Sequence, residues 1–253
     1  MIRTLGVAAA FYGVVATGPA LALGLCVEGA YPPFSETSAD GSIVGFDPDI
    51  GQALCKQIGE TCTLVKVDWD GIIPALLEKK CDAIVASMSI TPERKEVIDF
   101  TKKYYQTPAR FVAPANTDLT FTPEGLAGKV VGVQRGTIHQ AFMEGEFPQT
   151  TLQTYGTQDE MVLDLSSGRL DAVMADSVAL DLGFLKTPGG ADYAFFGEPY
   201  SIPKYHGEGL GIGVRKEDTA LRDKLSAAID AIRASGEYET IQKKYFDYDV
   251  YGR

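Results

Sequence analysis

The sequence predicts an α/β protein of two lobes, each built on a mostly parallel sheet with flanking helices. Three observations predict it. Short apolar runs alternate with amphipathic helix-like segments, the pattern of strands joined by covering helices. The alternation occurs as two similar series, one before and one after the middle of the chain. Two extended segments, YYQTPARFVAP between the series and the glycine-rich PKYHGEGLGIGVRK after the second, read as a pair of hinge crossings.

In the first series LGLCVEG reads as a strand, PDIGQALCKQIG as a helix, CTLVKVD as a strand, WDGIIPALLEKK as a helix and CDAIVASMSI as a strand. In the second, KVVGVQRG is a strand leading into a helix over Thr137–Glu144, TLQTY a strand, QDEMVLDLSSG a helix and LDAVMAD a strand. The end of the chain, from Thr219 to Lys244, reads as helical. Its apolar residues Leu221, Leu225, Ala228, Ile229 and Ile232 follow a 3.6-residue period that buries one face, and it is expected to return to the first lobe. The expected division is a leader over 1–22, lobe one from 23–107 and 209–253, and lobe two from 108–208, including the hinge segments.

With 253 residues, 45% of them hydrophobic, the chain can bury a large core. Its first 22 residues carry one charge, Arg3, then an apolar stretch from Leu5 to Val15 and the small-residue ending Ala20-Leu21-Ala22, as in a cleaved secretory signal. The competing reading is a membrane anchor over the uncharged run Thr4 to Val27, but Gly13, Gly18 and Pro19 interrupt that run. Lipid attachment at Cys26 is not expected, because Leu25 stands where a small residue is required. Loss of the leader removes one positive charge and takes the formal net charge from −11 to −12. So acidic a chain lacks the basic face that nucleic-acid binding needs.

Cysteines stand at 26, 55, 62 and 81. Export permits a Cys55–Cys62 disulfide that would pin a helix end to the start of a strand. Cys26 and Cys81 border strand-like runs and are expected to be buried thiols rather than a second disulfide. A metal site is not expected: there is no Cys-x-x-Cys pair, and His139 and His206 are not spaced with a second ligand. No cofactor is expected either.

Open parallel sheets bind ligands beyond the carboxyl ends of their strands. The residues there are Glu28 and Tyr31, Asp68 and Trp69, Ser87, Ser89 and Arg94 in the first series, and Gln134, Arg135, Gly136, Thr137 and Asp176 in the second. Thr91 reads as a helix N-cap and Pro92 as the first helical position, which places Arg94 in a first turn. That combination suits a carboxylate; a surface arginine paired with Glu93 or Glu96 is the alternative. The turn VQRGT reads as an anion cradle or as a tight packing turn. Asp176 ends an apolar strand, where it would either meet a ligand ammonium or cap the helix that follows. Glu28 could face a distal cation, with Tyr31 and Trp69 on its stem, or the two aromatics could be core.

Taken together, EGAYPPFSE, GFDPDIGQALCKQIGETC, DWDGIIPALLEKKCDAIVASMSIT, RKEVIDFTKKYY, GRLDAVMADS, GFLKTP, GEGLGIGVRK and KKYFDYDVYG resemble, in order, the lysine/arginine/ornithine- and histidine-binding proteins of ABC amino-acid importers, the solute-binding proteins of family 3. The resemblance covers nearly all of the mature chain. It implies a type II periplasmic-binding-protein fold that closes on a cationic L-amino acid, a monomer in the periplasm serving an inner-membrane ABC permease complex, and no catalytic residues. It implies that Arg94 holds the α-carboxylate and Asp176 the α-ammonium, that Ser87 and Ser89 bond the same end, that Tyr31 and Trp69 flank the side chain and that Glu28 meets the distal charge. It also implies the Cys55–Cys62 disulfide. Glu28, Trp69, Ala86 and Ile138 depart from the family's usual Asp, Phe or Leu, Ser and Thr. Ile138 lacks a hydroxyl and so leaves more of the carboxylate to Thr137 and Arg94. Arginine is the first expectation, because Trp suits a planar guanidinium, ahead of lysine, ornithine and histidine. An octopine-like opine and a dehydratase on the same fold are the alternatives.

Overall fold

The computed structural model describes residues 22–252. The expected leader lies, apart from Ala22, outside them.

Along the chain the elements are β1 (Leu23–Val27), β2 (Ala30–Tyr31), β3 (Ser35–Thr37), β4 (Ile43–Val44), α1 (Phe46–Ile58), β5 (Cys62–Lys66), a 3-10 turn at Trp69–Gly71, α2 (Ile72–Leu77), β6 (Ala83–Ser89), α3 (Pro92–Val97) and β7 (Asp99–Phe100). There follow β8 (Ala109–Pro114), β9 (Val130–Gln134), α4 (Ile138–Glu146), β10 (Thr151–Tyr155), α5 (Gln158–Ser166), β11 (Ala172–Asp176), α6 (Ser177–Leu180), β12 (Tyr193–Tyr200), α7 (Pro203–His206), β13 (Leu210–Val214), α8 (Thr219–Ala234) and α9 (Glu237–Gln242).

They form two five-stranded sheets, ordered β5-β1-β6-β13-β7 and β10-β9-β11-β8-β12. In each, three strands run parallel, with the earliest in the middle, and the crossing strand joins antiparallel. The inner parallel strands β1, β6, β9 and β11 are near-continuous apolar runs because both faces are covered, and β11, AVMAD, is buried along its whole length, whereas the edge strands β5 and β10 are partly exposed. A small β2-β3-β4 sheet stands beside them. The chain leaves the first sheet after Phe100 and returns at Leu210, where a lone bridge pairs Leu210 with Tyr105.

Leu225, Ala228, Ile229 and Ile232 of α8 bury against Leu25, Ile50 and Leu54, so the helix at the chain's end covers the first sheet. The stretch to Lys244 is helical in two pieces. Gly236 takes a left-handed φ of 80° and divides it into α8 and α9, as glycine allows at no steric cost. PKYH is likewise a helical turn, α7, rather than extended chain, because Pro203 sits at its first position, where its fixed φ and missing N–H suit a helix start.

The expectation of buried thiols at Cys26 and Cys81 is overturned. They form a disulfide, with Cα atoms 5.6 Å apart. Parallel pairing of Leu25 with Ala83 and Cys26 with Ile84 brings the end of β1 beside the turn that enters β6. That register is invisible in a spacing of 55 residues. Cys55 and Cys62 form the other disulfide, from the last turn of α1 to the start of β5.

Candidate functional site

All nine candidate residues, Glu28, Tyr31, Trp69, Ser87, Ser89, Arg94, Gln134, Thr137 and Asp176, line one cleft between the sheets. It encloses about 690 Å³ of empty space, part of it open to solvent. The carboxyl ends of β1 and β6 supply one wall, those of β9 and β11 the other.

On the first wall Arg94 sits in the first turn of α3, whose Thr91 cap accepts the Arg94 backbone N–H at 3.3 Å. Its guanidinium donates to the carbonyls of Ser89 (3.1 Å) and, across the cleft, Gly136 (3.3 Å). It pairs with neither Glu93 nor Glu96; a guanidinium has five donors, and most remain free. Burial lowers it to about 10, which still leaves it charged at neutral pH. Trp69 lies with its ring centroid 5.2 Å from Arg94 Cζ, so the ring expected to stack on a ligand stem also faces this arginine. Tyr31 stacks on Phe34 at 5.8 Å.

Glu28 is 4% exposed and accepts a 2.6 Å hydrogen bond from Gln134 Nε2. The other amide hydrogen of Gln134 goes to the Gly156 carbonyl at 3.0 Å, so the glutamine keeps only its oxygen for anything else. Desolvation pushes the Glu28 carboxyl up to about 7, against the lowering effect of Gln134.

On the second wall two candidates are helix caps. Thr137 Oγ1 caps α4 by accepting from Gln140 N. Asp176 caps α6 by accepting from Val178 N (2.8 Å) and Ala179 N (3.3 Å), while its other oxygen takes the Thr107 hydroxyl. The capping alternative for Asp176 therefore holds, yet the carboxylate still borders the cleft and has lone pairs to spare. Its burial raises it to about 6. Gly136, at φ 69°, brings the second wall against Trp69, with Arg135 bonded to Asp70 across the mouth at 2.6 Å.

Thr107, His139 and His206 also line the cleft and were not among the candidates. His139 could have been found two residues beyond Thr137, in the first turn of α4. Thr107 and His206 come from the crossings, where no periodicity points inward. The two imidazole centroids lie 6.3 Å apart. Desolvation lowers His139 to about 3, so its ring is neutral. Among the described residues no group of three or more His, Cys, Asp or Glu side chains is placed to hold a metal.

Comparison with known proteins bears on the same cleft. The family model described as bacterial extracellular solute-binding proteins, family 3, matches residues 23–248. An L-arginine-binding protein of Pseudomonas aeruginosa is 50% identical over 228 residues, covering 89% of this chain and 88% of that one. A histidine-binding periplasmic protein of Escherichia coli is 44% identical over 224 residues, covering 88% and 86%. Among solved structures, a Salmonella typhimurium periplasmic binding protein described for high arginine specificity superposes with a TM-score of 0.83 at 36% identity, covering 90% of this chain and all of that one.

Proposed function

The chain belongs to the bacterial extracellular solute-binding proteins, family 3, and on that premise we propose that it captures a cationic L-amino acid, arginine first, for an inner-membrane ABC permease complex. One observation carries the proposal. Arg94, Glu28 and Asp176 all face one cleft, and among the described residues none of the three enters an ion pair. Buried charges without partners are costly, so a ligand that supplies all three counter-charges is strongly selected. A zwitterion with a distal cation is such a ligand.

Arg94 then takes the α-carboxylate and Asp176 the α-ammonium; the Thr137 hydroxyl gives its proton to the Gln134 carbonyl at 2.7 Å, so Thr137 helps the carboxylate through its backbone N–H. Glu28 and the Gln134 oxygen are two adjacent acceptors for the distal group. A guanidinium, with its planar fork, uses both better than an ammonium does. The ligand names of the Pseudomonas and Salmonella relatives favour arginine, and that of the Escherichia relative keeps histidine in the panel.

The ligand docks on the first wall, and closure of lobe two, 108–208, over lobe one, 23–107 with 209–253, brings Asp176 and Thr137 onto it. Binding thereby selects the closed state. The working form is a periplasmic monomer released from its leader, and the relatives, all binding proteins, favour capture without catalysis.

The test is a thermal-shift screen of residues 23–253, stripped of ligand, against amino acids and opines, followed by calorimetry. A shift with arginine or its cationic relatives supports the reading. A shift with octopine alone moves it to opines, and turnover of prephenate or arogenate moves it to a dehydratase. Arg94→Ala is expected to weaken arginine by at least about a hundredfold, because it strands the carboxylate in the cleft. An effect within twofold refutes the carboxylate assignment.

A further inference from the structure

Beneath the cleft floor lies an acid with no assigned use. Asp47, in the first turn of α1, is 0% exposed and, among the described residues, enters no ion pair. Its two oxygens each accept one hydrogen bond, Oδ2 from Ser87 Oγ at 2.8 Å and Oδ1 from Tyr104 Oη at 2.7 Å. Tyr104, itself 0% exposed, in turn accepts the backbone N–H of Ser87 at 3.0 Å. Ser87 holds φ 51°, the left-handed region that a non-glycine residue keeps only where its surroundings over-determine it. Two of those surroundings are now identified: Tyr104 holds its backbone and Asp47 its side chain.

We propose that Asp47 is a positioning residue for recognition of the ligand's α-ammonium, taking the hydroxyl proton of Ser87 so that Ser87 Oγ meets the cleft only as an acceptor. This rests on the reading of the cleft as an amino-acid site. An ionised carboxylate accepts at both oxygens, whereas a serine hydroxyl can turn either way. Because the Tyr104 oxygen already receives the Ser87 N–H, the tyrosine proton must go to Asp47. The serine proton is drawn to the other oxygen. Ser87 is left with lone pairs toward the cleft, which suit an ammonium and repel a carboxylate. An asparagine of the same shape would offer an N–H on one side and lose this polarity, which is what an acid at this buried position achieves and an amide does not. Burial pushes the Asp47 carboxyl up to about 7, so it is ionised at pH 8, where the test is run.

The experiment compares L-arginine with its desamino analogue, 5-guanidinopentanoate, by calorimetry at pH 8 on residues 23–253. Asp47→Asn is expected to weaken L-arginine roughly tenfold more than it weakens the analogue, since only L-arginine presents a charged donor to Ser87. Ser87→Ala, which keeps Asp47 and the fold, should produce the same selective loss, and the double variant no more than Ser87→Ala alone. Equal weakening of both ligands by Asp47→Asn would reveal a merely structural acid and overturn the proposal. So would a Ser87→Ala variant with an unchanged ratio, which also decides the matter if Asp47→Asn does not fold. If an amino acid without a distal cation binds in place of arginine, the distal-group reading fails, and with any other amino acid the ratio is read on that ligand and its desamino counterpart. If no amino acid binds, both readings fall.

Discussion

The two walls of the cleft present similar chemistry but are fastened differently. The first is stapled: Cys26–Cys81 ties the end of β1, just before Glu28, to the entry of β6, and Cys55–Cys62 ties the last turn of α1 to the start of β5. The second contains no cysteine, and its site residues are held by the helices they start, with Thr137 capping α4 and Asp176 capping α6. On the proposed reading, a wall held by caps asks the Asp176 carboxylate to serve twice, once for the fold and once for the ligand. A wall held by disulfides leaves Arg94 and Glu28 free of such duty. The difference suits a first wall that receives the ligand and a second that closes over it.

The largest test of this contrast is covalent. Replacing Cys26 and Cys81 together by serine is expected to cost about 4 kcal/mol of stability, against about 2.5 kcal/mol for the Cys55–Cys62 pair, because the first closes the longer loop, 55 residues rather than 7. Chemical denaturation of each double variant measures both, and equal losses would break the argument from loop length. Capped and stapled walls can next be compared through pH. Burial pushes the Glu28 carboxyl up to about 7, and on the proposed reading it meets the ligand's distal cation when ionised, so arginine affinity should fall as pH drops from 8 to 6, by at most about tenfold per unit below 7. Calorimetry of Glu28→Gln should show weaker binding at pH 8 with most of that slope gone. A slope that survives would move the proton uptake to Asp47 or Asp176. The smallest expected effect is Thr137→Ala, which should lower stability by about 1 kcal/mol through loss of the α4 cap. A thermal midpoint unchanged by that substitution would deny Thr137 its part in holding the second wall.

Much of this was legible in the chain because strand ends and helix starts announce themselves locally. Thr91-Pro92 marked the helix that carries Arg94, and Asp176 closed an apolar strand just where a cap was needed. Asp47 was not read, although an acid between Phe46 and Pro48 in GFDPDI is an anomaly that hints at a buried role. Its partners Ser87 and Tyr104 lie 40 and 57 residues away, and no local rule connects them. The break at Gly236 was missed for a different reason. The apolar period continues on both sides of it, and a period does not report a single residue's φ.

By itself the sequence determined the two-sheet α/β plan, the nine residues at the strand ends and the family, since periodicity, caps and ordered motifs are properties of neighbours along the chain. Tertiary structure alone decided that Cys26 pairs with Cys81, that Gln134 turns its amide hydrogens to Glu28 and Gly156, and that Asp47 lies under Ser87. Each of these depends on sheet register and on the burial of a particular polar atom, and both arise only when segments distant in sequence are packed together and must satisfy one another's hydrogen bonds.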